Sequence, residues 1–438
     1  MSLGERLRSA VHAAEMHQRH GRIVAFDGLV IEAEGPDARL GELCEIVGSE
    51  GMAPTRAQVV GFRREHMLLM PYGAVSGISP RSLIRACGHT LDVPVGNGLL
   101  GRVVDAFCQP LDDGPTLSLP DRQALHAAPS NPLSRRGIDK VMETGVRAID
   151  TLLTLGEGQR VGVFSGSGVG KSTLLGMLAR HVSADVTVLA LIGERGREVG
   201  DFIRESLGDG LRRSVVMAAT ADQPALVRVH AVHAAHAVAE YFRDQGKSVL
   251  LVVDSITRFA MAQREIGLAI GEPPTFRGYT PSVFGWLPRI AERCGRWAHG
   301  SITAVYSVLV EGDDMNEPIT DHMRAILDGH IVLSRELAAR GHHPAVDVLH
   351  SASRLLDALA TPTQAALASE VRRHLATYEG SRDLVELGAH QRGINTALDA
   401  AIDLKPGLDT VLRQASQDAY SREEALAALR RVLDVSHG

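Results

Sequence analysis

One stretch constrains this 438-residue chain more than any other: Ser165-Gly-Ser-Gly-Val-Gly-Lys-Ser172. The apolar run Arg160–Phe164 precedes it and reads as a strand, and Thr173–Arg180 follows with helical periodicity. Strand, glycine-rich loop and helix, in that order, are the setting of a phosphate-binding loop. The glycines let successive backbone N–H groups turn inward, and the helix start adds the positive end of its dipole, so phosphate oxygens can be cradled. The candidate nucleotide-binding residues are therefore Ser165, Gly166, Ser167, Gly168, Val169, Gly170, Lys171, Ser172 and Thr173. Lys171 is expected to reach the terminal phosphates, and the Ser172 hydroxyl to ligate Mg²⁺. The usual pattern begins with glycine where this chain has Ser165, but the three inner glycines, Lys171 and Ser172 are intact.

In open α/β sheets, ligands bind at the carboxyl ends of the strands. Two further runs end at that edge. Asp185–Ile192 is continuously apolar, as a buried parallel strand should be, and leads into Gly193–Val199. Glu194 and Arg195 are thereby delivered to the same edge as Lys171. A charged run after a strand is ordinarily a solvated loop, so these two gain meaning only from their company. Ser248–Val253 is apolar and closes on Asp254. An acid in that place is the second nucleotide-site signature, holding Mg²⁺ through water. The turn Ser255–Arg258 then sets Arg258 near the phosphates.

Composition limits the alternatives. Hydrophobic residues at 45% and charged residues at 22%, over this length, allow two or three domains with a substantial core. A net charge of −6 and 4% aromatics argue against a dedicated nucleic-acid surface. Cys44, Cys87, Cys108 and Cys294 lie far apart, without metal spacing, as reduced thiols of a cytoplasmic protein would. No signal-peptide core or membrane-length apolar run is seen.

Residues 2–20 pattern as a short amphipathic helix, either packed on its own domain or docking a partner or a membrane surface. From Gly21 to about Gly88, five short β runs separated by Gly, Pro and Asp suggest a small barrel. Residues 89–160 read as a linking region with two further β-like pieces, Thr90–Pro94 and Leu100–Asp105. His230, His233 and His236 recur every three residues on a helix; they fan across a broad face with no acid or thiol beside them, which favours an ordinary helix surface over a metal site. Gly271–Phe284 is too rich in Pro and Gly for regular structure and reads as a long exposed loop. Ser301–Val310, Gly329–Ser334 and His343–Arg354 close the core, and about 360–438 is helical, with breaks near Gly380, Gly393 and Pro406.

Taken together, Gly166–Thr173, Gly193–Val199, Asp254–Arg264, Gly271–Phe284, Glu311–Pro318 and Pro344–Arg354 resemble the type III protein-export ATPases, relatives of the catalytic β subunit of rotary ATP synthases. Gly271–Pro274 and Gly278–Phe284 look more like the flagellar branch than the virulence branch, although Leu333–Arg335 and Ser351–Arg354 are also seen in virulence-type members. The resemblance implies an α/β fold: a RecA-like P-loop core over 89–355, an N-terminal β-barrel over 21–88 and a C-terminal helical domain over 356–438, after the helix of 1–20. It implies ATP and Mg²⁺ as ligands and a homohexamer with nucleotide at each subunit boundary. In that ring Lys171 binds phosphate, Ser172 and Asp254 serve the metal, and Glu194 activates the attacking water. Arg195 and Arg258 add charge near the phosphates, and Arg354 is an arginine finger offered to the neighbouring subunit. Non-catalytic rotary subunits carry glutamine at the position of Glu194, so catalysis is expected here. The implied partners are a dimeric regulatory stator protein at the N-terminal helix, a coiled-coil stalk against Gly278–Phe284, and the export gate with its substrates and chaperones. The implied location is cytoplasmic, peripheral at the inner-membrane export gate. A virulence-type secretion ATPase, a rotary synthase subunit and a RecA-like nucleic-acid motor are the competing readings.

Overall fold

The computed structural model describes Gly4 and residues 20–48, 53–127 and 131–434; the amphipathic segment read at the N-terminus lies almost wholly outside the described residues. The chain forms two compact units. One comprises the segment up to Asp92 with 224–227 and 262–280, and the other takes the rest.

The first unit is built on a closed six-stranded barrel. Its strands are β1 (His20–Phe26), β2 (Ile31–Glu34), β3 (Glu42–Val47), β4 (Thr55–Arg63), β5 (His66–Pro71) and β6 (Leu83–Thr90), in the order β1-β2-β5-β4-β3-β6. Alternate residues point inward: Ile31 and Ala33, Cys44 and Ile46, Ala57 and Val59, Met67 and Leu69 make the barrel's core. Closure leaves no strand edge unpaired. The sequence reading did not find β6, which is interrupted by charge and glycine. It joins β1 to β3, buries Ile84, and pairs Arg85 with Glu45 across the β3–β6 ladder.

The second unit is organised by a sheet of nine strands. Its main path uses β7 (Arg102–Val104), β8 (Arg160–Ser165), β9 (Val186–Ile192), β10 (Ser214–Ala219), β11 (Ser248–Asp254), β12 (Ser301–Leu309), β13 (Gly329–Leu333) and β14 (Val346–Ser353). The order is β14-β13-β8-β12-β11-β9-β10-β7, and every neighbouring pair is parallel except β13 with β14. All seven residues of β9 are buried, which explains its unbroken apolar sequence. One strand exceeds the sequence reading: β10, only six residues long, follows a run of irregular helical turns. The β-like piece read at Leu100–Asp105 is present as β7, and it forms an edge of the sheet. Asp112 secures that edge by accepting from Arg102 Nε at 2.9 Å and from the Val103 N–H at 2.6 Å.

The helices that bear on the site are α1 (Lys171–His181), α2 (Ala225–Asp244), α3 (Ile256–Ala269), α4 (Pro281–Ala291) and α5 (Pro318–Ile326). The C-terminal helices are α6 (Pro362–Gly380), α7 (Thr396–Leu412) and α8 (Arg422–Asp434). Leu367, Val371, Leu408 and Leu429 of these helices join one hydrophobic core with Leu174, Leu178 and Val163. Two expectations are corrected. Pro406 does not break the chain's last helices but lies inside α7, and α4 begins within the stretch read as a loop. Pro281 stands at the first helical position, where its missing N–H has no intrahelical partner to lose. No helix among the described residues is long and apolar enough to cross a membrane.

Candidate active site

β8 ends at Ser165, and the chain turns through Gly166–Gly170 into α1. Gly168 and Gly170 have φ of +79° and +91°, a left-handed backbone that disfavours any side chain. Position 165 has no such requirement. Ser165 is still in the strand, paired with Leu309 and Leu333, with a buried hydroxyl. That is why serine substitutes for the usual glycine. Gly170 caps α1, so the N–H groups of Lys171, Ser172 and Thr173 belong to a first turn that has no intrahelical acceptors. Ser172 and Thr173 are exposed, and Lys171 is half-buried.

Three strands converge on Lys171. β11, two places from β8 in the sheet, ends on Asp254, whose carboxylate takes the Lys171 ammonium directly. β12 lies between them and supplies Ser307, which donates to Asp254 Oδ1 at 2.7 Å. The turn after β9 brings Glu194 to 3.6 Å from Lys171 Nζ. Glu194 is fixed by its backbone: Gly193 N–H donates to Ala219 of β10, and Ala221 N–H donates to the Glu194 carbonyl. Burial raises the Glu194 carboxyl above its ordinary range; Lys171 pulls it down and Asp254 adds to the rise.

The arginines separate into three kinds. Arg258, at the start of α3, packs its side chain against Gly193, where an added Cβ would meet it at 3.1 Å; its Nε is buried without an acceptor. Its charge is felt at Glu194. Arg195 points away: its side chain is 85% exposed, and the carboxylate it meets is Glu198 at 3.9 Å. Arg354 follows β14, which runs antiparallel to β13, and its N–H donates to Asp328 at the start of β13. It therefore sits at the amino edge of the sheet, whereas the phosphate loop is at the carboxyl edge. The six residues of β8 separate the two edges by about 17 Å, at roughly 3.3 Å per residue. No arginine side chain spans that distance, so Arg354 does not reach its own phosphate loop.

Two groups near the loop escaped the sequence reading. Ser307 looks like any hydroxyl in an apolar strand until β12 is set beside β11. Asp313 and Arg335 pair at 3.2 Å directly over Gly166, where a Cβ would come within 2.8 Å of both. They line a cavity of about 610 Å³ beside the loop. The three histidines require a correction as well. Far from forming a helix surface, His230, His233 and His236 are all buried. His236 Nδ1 donates to the Val232 carbonyl at 2.7 Å, which leaves Nε2 to accept from the Tyr306 hydroxyl at 3.0 Å. Burial keeps His230 and His236 neutral, with pKa values lowered to about 3. They are packing groups of a helix enclosed on nearly every side.

Residues 145–353 match the nucleotide-binding domain of the ATP synthase alpha/beta family, residues 23–88 its beta-barrel domain, and residues 360–431 the type III secretion EscN ATPase C-terminal domain. The chain is 50% identical to the flagellum-specific ATP synthase of Bacillus subtilis over 97% of both chains. It is 46% identical to the type 3 secretion system ATPase of Xanthomonas euvesicatoria over 95% of both. The solved structure of the assembled ATPase EscN with its central stalk EscO, from enteropathogenic E. coli, superposes with a TM-score of 0.87 at 42% identity, covering 94% of this chain and all of EscN. With its barrel, nucleotide core and helical C-terminal part all matched, this chain belongs to the ATP synthase alpha/beta family, among the flagellum-specific and type III secretion ATPases.

Proposed function

We propose that this protein is the Mg-ATP hydrolysing motor of a flagellar type III export apparatus, acting as a homohexamer in which each active centre is completed by two subunits. The observation that carries this reading is the placement of Lys171, Asp254 and Glu194 at one edge of the sheet and Arg354 at the other. A monomer holds the two halves of the machinery too far apart to use together.

In the proposed centre the phosphate loop and the first turn of α1 cradle the triphosphate, and Lys171 leaves Asp254 for the terminal phosphates. The oxygen-only pair of Ser172 and Asp254 fits Mg²⁺, a hard cation that keeps several of its waters. When bound, that ion would neutralise phosphate charge. Ser307, by donating to Asp254, would hold that carboxylate in place to serve the ion. Glu194 accepts a hydrogen bond from the attacking water and takes its proton as the new oxygen–phosphorus bond forms and the bond from the γ-phosphorus to the departing ADP oxygen breaks. Arg258 lies close enough to join this charge balance, while Arg195 would have to swing inward. Arg354 enters from the adjoining subunit, where a finger of this type is worth about 10³–10⁵ in rate.

The domains proposed for this work are the barrel of 21–88, the core of 89–355 and the helical part of 356–438. A central coiled-coil stalk is the partner proposed for the segment around Gly278, where Phe276 is largely exposed. A dimeric stator at the N-terminal helix and a cytoplasmic location against the inner-membrane gate complete the assignment.

The test is Glu194→Gln at the native locus, read as flagellation and swimming. Loss of filaments with normal growth is expected. Normal filaments would move the protein to a virulence-type secretion system, and a growth defect would move it to energy metabolism.

A further inference from the structure

Arg354 has company at the amino edge of the sheet. Arg324 lies in the last turn of α5, just before the chain enters β13, and the Arg354 guanidinium is 3.5 Å from the Arg324 carbonyl oxygen. A cation suits the carboxyl end of a helix. Asp328, whose carbonyl accepts from the Arg354 N–H, is already taken: its carboxylate accepts from Arg160 Nε at 3.0 Å and from the Arg160 backbone N–H at 3.1 Å. Among the described residues, neither Arg324 nor Arg354 has a carboxylate within ion-pair distance. The Arg324 Nε is also buried without an acceptor. His330 registers both charges: burial first, then Arg324 and Arg354, hold its ring below the usual imidazole range, against the pull of its bond to the His350 carbonyl.

Two guanidiniums without a carboxylate partner, both near enough to act on His330 and one with an unmet buried donor, destabilise an isolated chain. A polyanion arriving from outside would relieve both penalties. The chain's own triphosphate cannot supply it, because the length of β8 intervenes. We propose that Arg324 is a second arginine acting in trans, which together with Arg354 forms a two-guanidinium head that grips the triphosphate bound to an adjoining copy of this chain. Its carbonyl steadies Arg354 and its side chain adds a second positive charge. This rests on the assembled centre described above.

The experiment measures ATP hydrolysis against protein concentration for Arg324→Ala, Arg324→Gln and Arg324→Lys, alone and in equimolar mixtures with Glu194→Gln. Loss of a charge-assisted contact predicts an assembled-state kcat lower by about 10- to 100-fold in Arg324→Ala and Arg324→Gln, and by less in Arg324→Lys, which keeps the charge but not the fork. Mixing must restore activity beyond the sum of the parts, because Glu194→Gln chains lend their intact Arg324 to sites whose own Glu194 is intact. Binding of ATP by each isolated variant reports that it is folded, and Arg324→Gln carries the test if Arg324→Ala is not. Parental activity in both variants overturns the proposal. So does a failure of mixing to restore them while Arg354→Ala is restored by the same partner. If Glu194→Gln restores neither arginine variant, the two-subunit centre itself is wrong.

Discussion

Replacing Lys171 by Met removes an ammonium that two carboxylates share. Its side chain is 11% exposed and that of Asp254 only 4%, so the surviving Asp254 charge is left in a nearly dry site with Glu194 close by. Taking one partner from a buried pair costs about 3–5 kcal/mol, because the remaining charge keeps its desolvation penalty. Ser307 still donates to Asp254, and Glu194 can escape by binding a proton, so the lower figure of about 3 kcal/mol applies. In an Asp254→Asn background the same lysine replacement strands no ion at that position and should cost little. The coupling between the two sites is therefore about 2–3 kcal/mol. It can be read by urea unfolding of the parent, both single variants and the double variant at pH 7, without nucleotide or metal. The chain has just two tryptophans, Trp286 and Trp297, and both belong to the unit that holds the pair, so their fluorescence follows the relevant transition. A coupling below about 0.5 kcal/mol would refute the reasoning, since independent sites add to within that margin. The result matters for interpretation: an inactive lysine variant would combine lost phosphate binding with a disturbed site, whereas Glu194→Gln leaves the pair intact.

Hydrolysis should fall on acidification while the pH is still above the ordinary carboxylate range. A water-activating Glu194 must be ionised, its pKa is raised by burial and by Asp254, and protonation therefore sets in at higher pH; a pH profile of kcat whose acid limb lies at or below the normal glutamate value of 4.5 would contradict this. Arg354→Ala should still bind ATP as a monomer but lose the gain in specific activity on raising protein concentration, and a parental concentration dependence would remove the finger assignment. Gly176→Ala, in α1, would place a Cβ 2.6 Å from the Ser206 carbonyl oxygen and should destabilise the protein by about 1–3 kcal/mol; thermal melting at the parental temperature would show that the turn yields freely.

The parts of this site that were legible in the sequence are those whose geometry is local. Gly168, Gly170 and Lys171 lie within a few residues of one another, and Asp254 is announced by the apolar strand that carries it. What could not be read depends on strand order. Ser307 becomes a partner of Asp254 only because β12 inserts between β8 and β11, a crossover that leaves no mark in composition. Asp313 meets Arg335 over Gly166 for the same reason. The histidines of α2 were misjudged because a helix enclosed on nearly all sides has no polar face to reveal its orientation, and a neutral imidazole packs as an apolar ring does. Pro406 was overread. A helix held by Leu404, Leu408 and Leu412 in the core retains its course although proline removes one backbone bond.

The separation of Arg354 from the phosphate loop across the width of one sheet also has a genetic meaning. In the proposed ring, a chain defective at a single edge would spoil one centre wherever it is incorporated, its own or its neighbour's. A chain defective at both, such as Glu194→Gln with Arg354→Ala, would spoil two, and should therefore interfere with the wild-type allele at a lower gene dosage than either single variant.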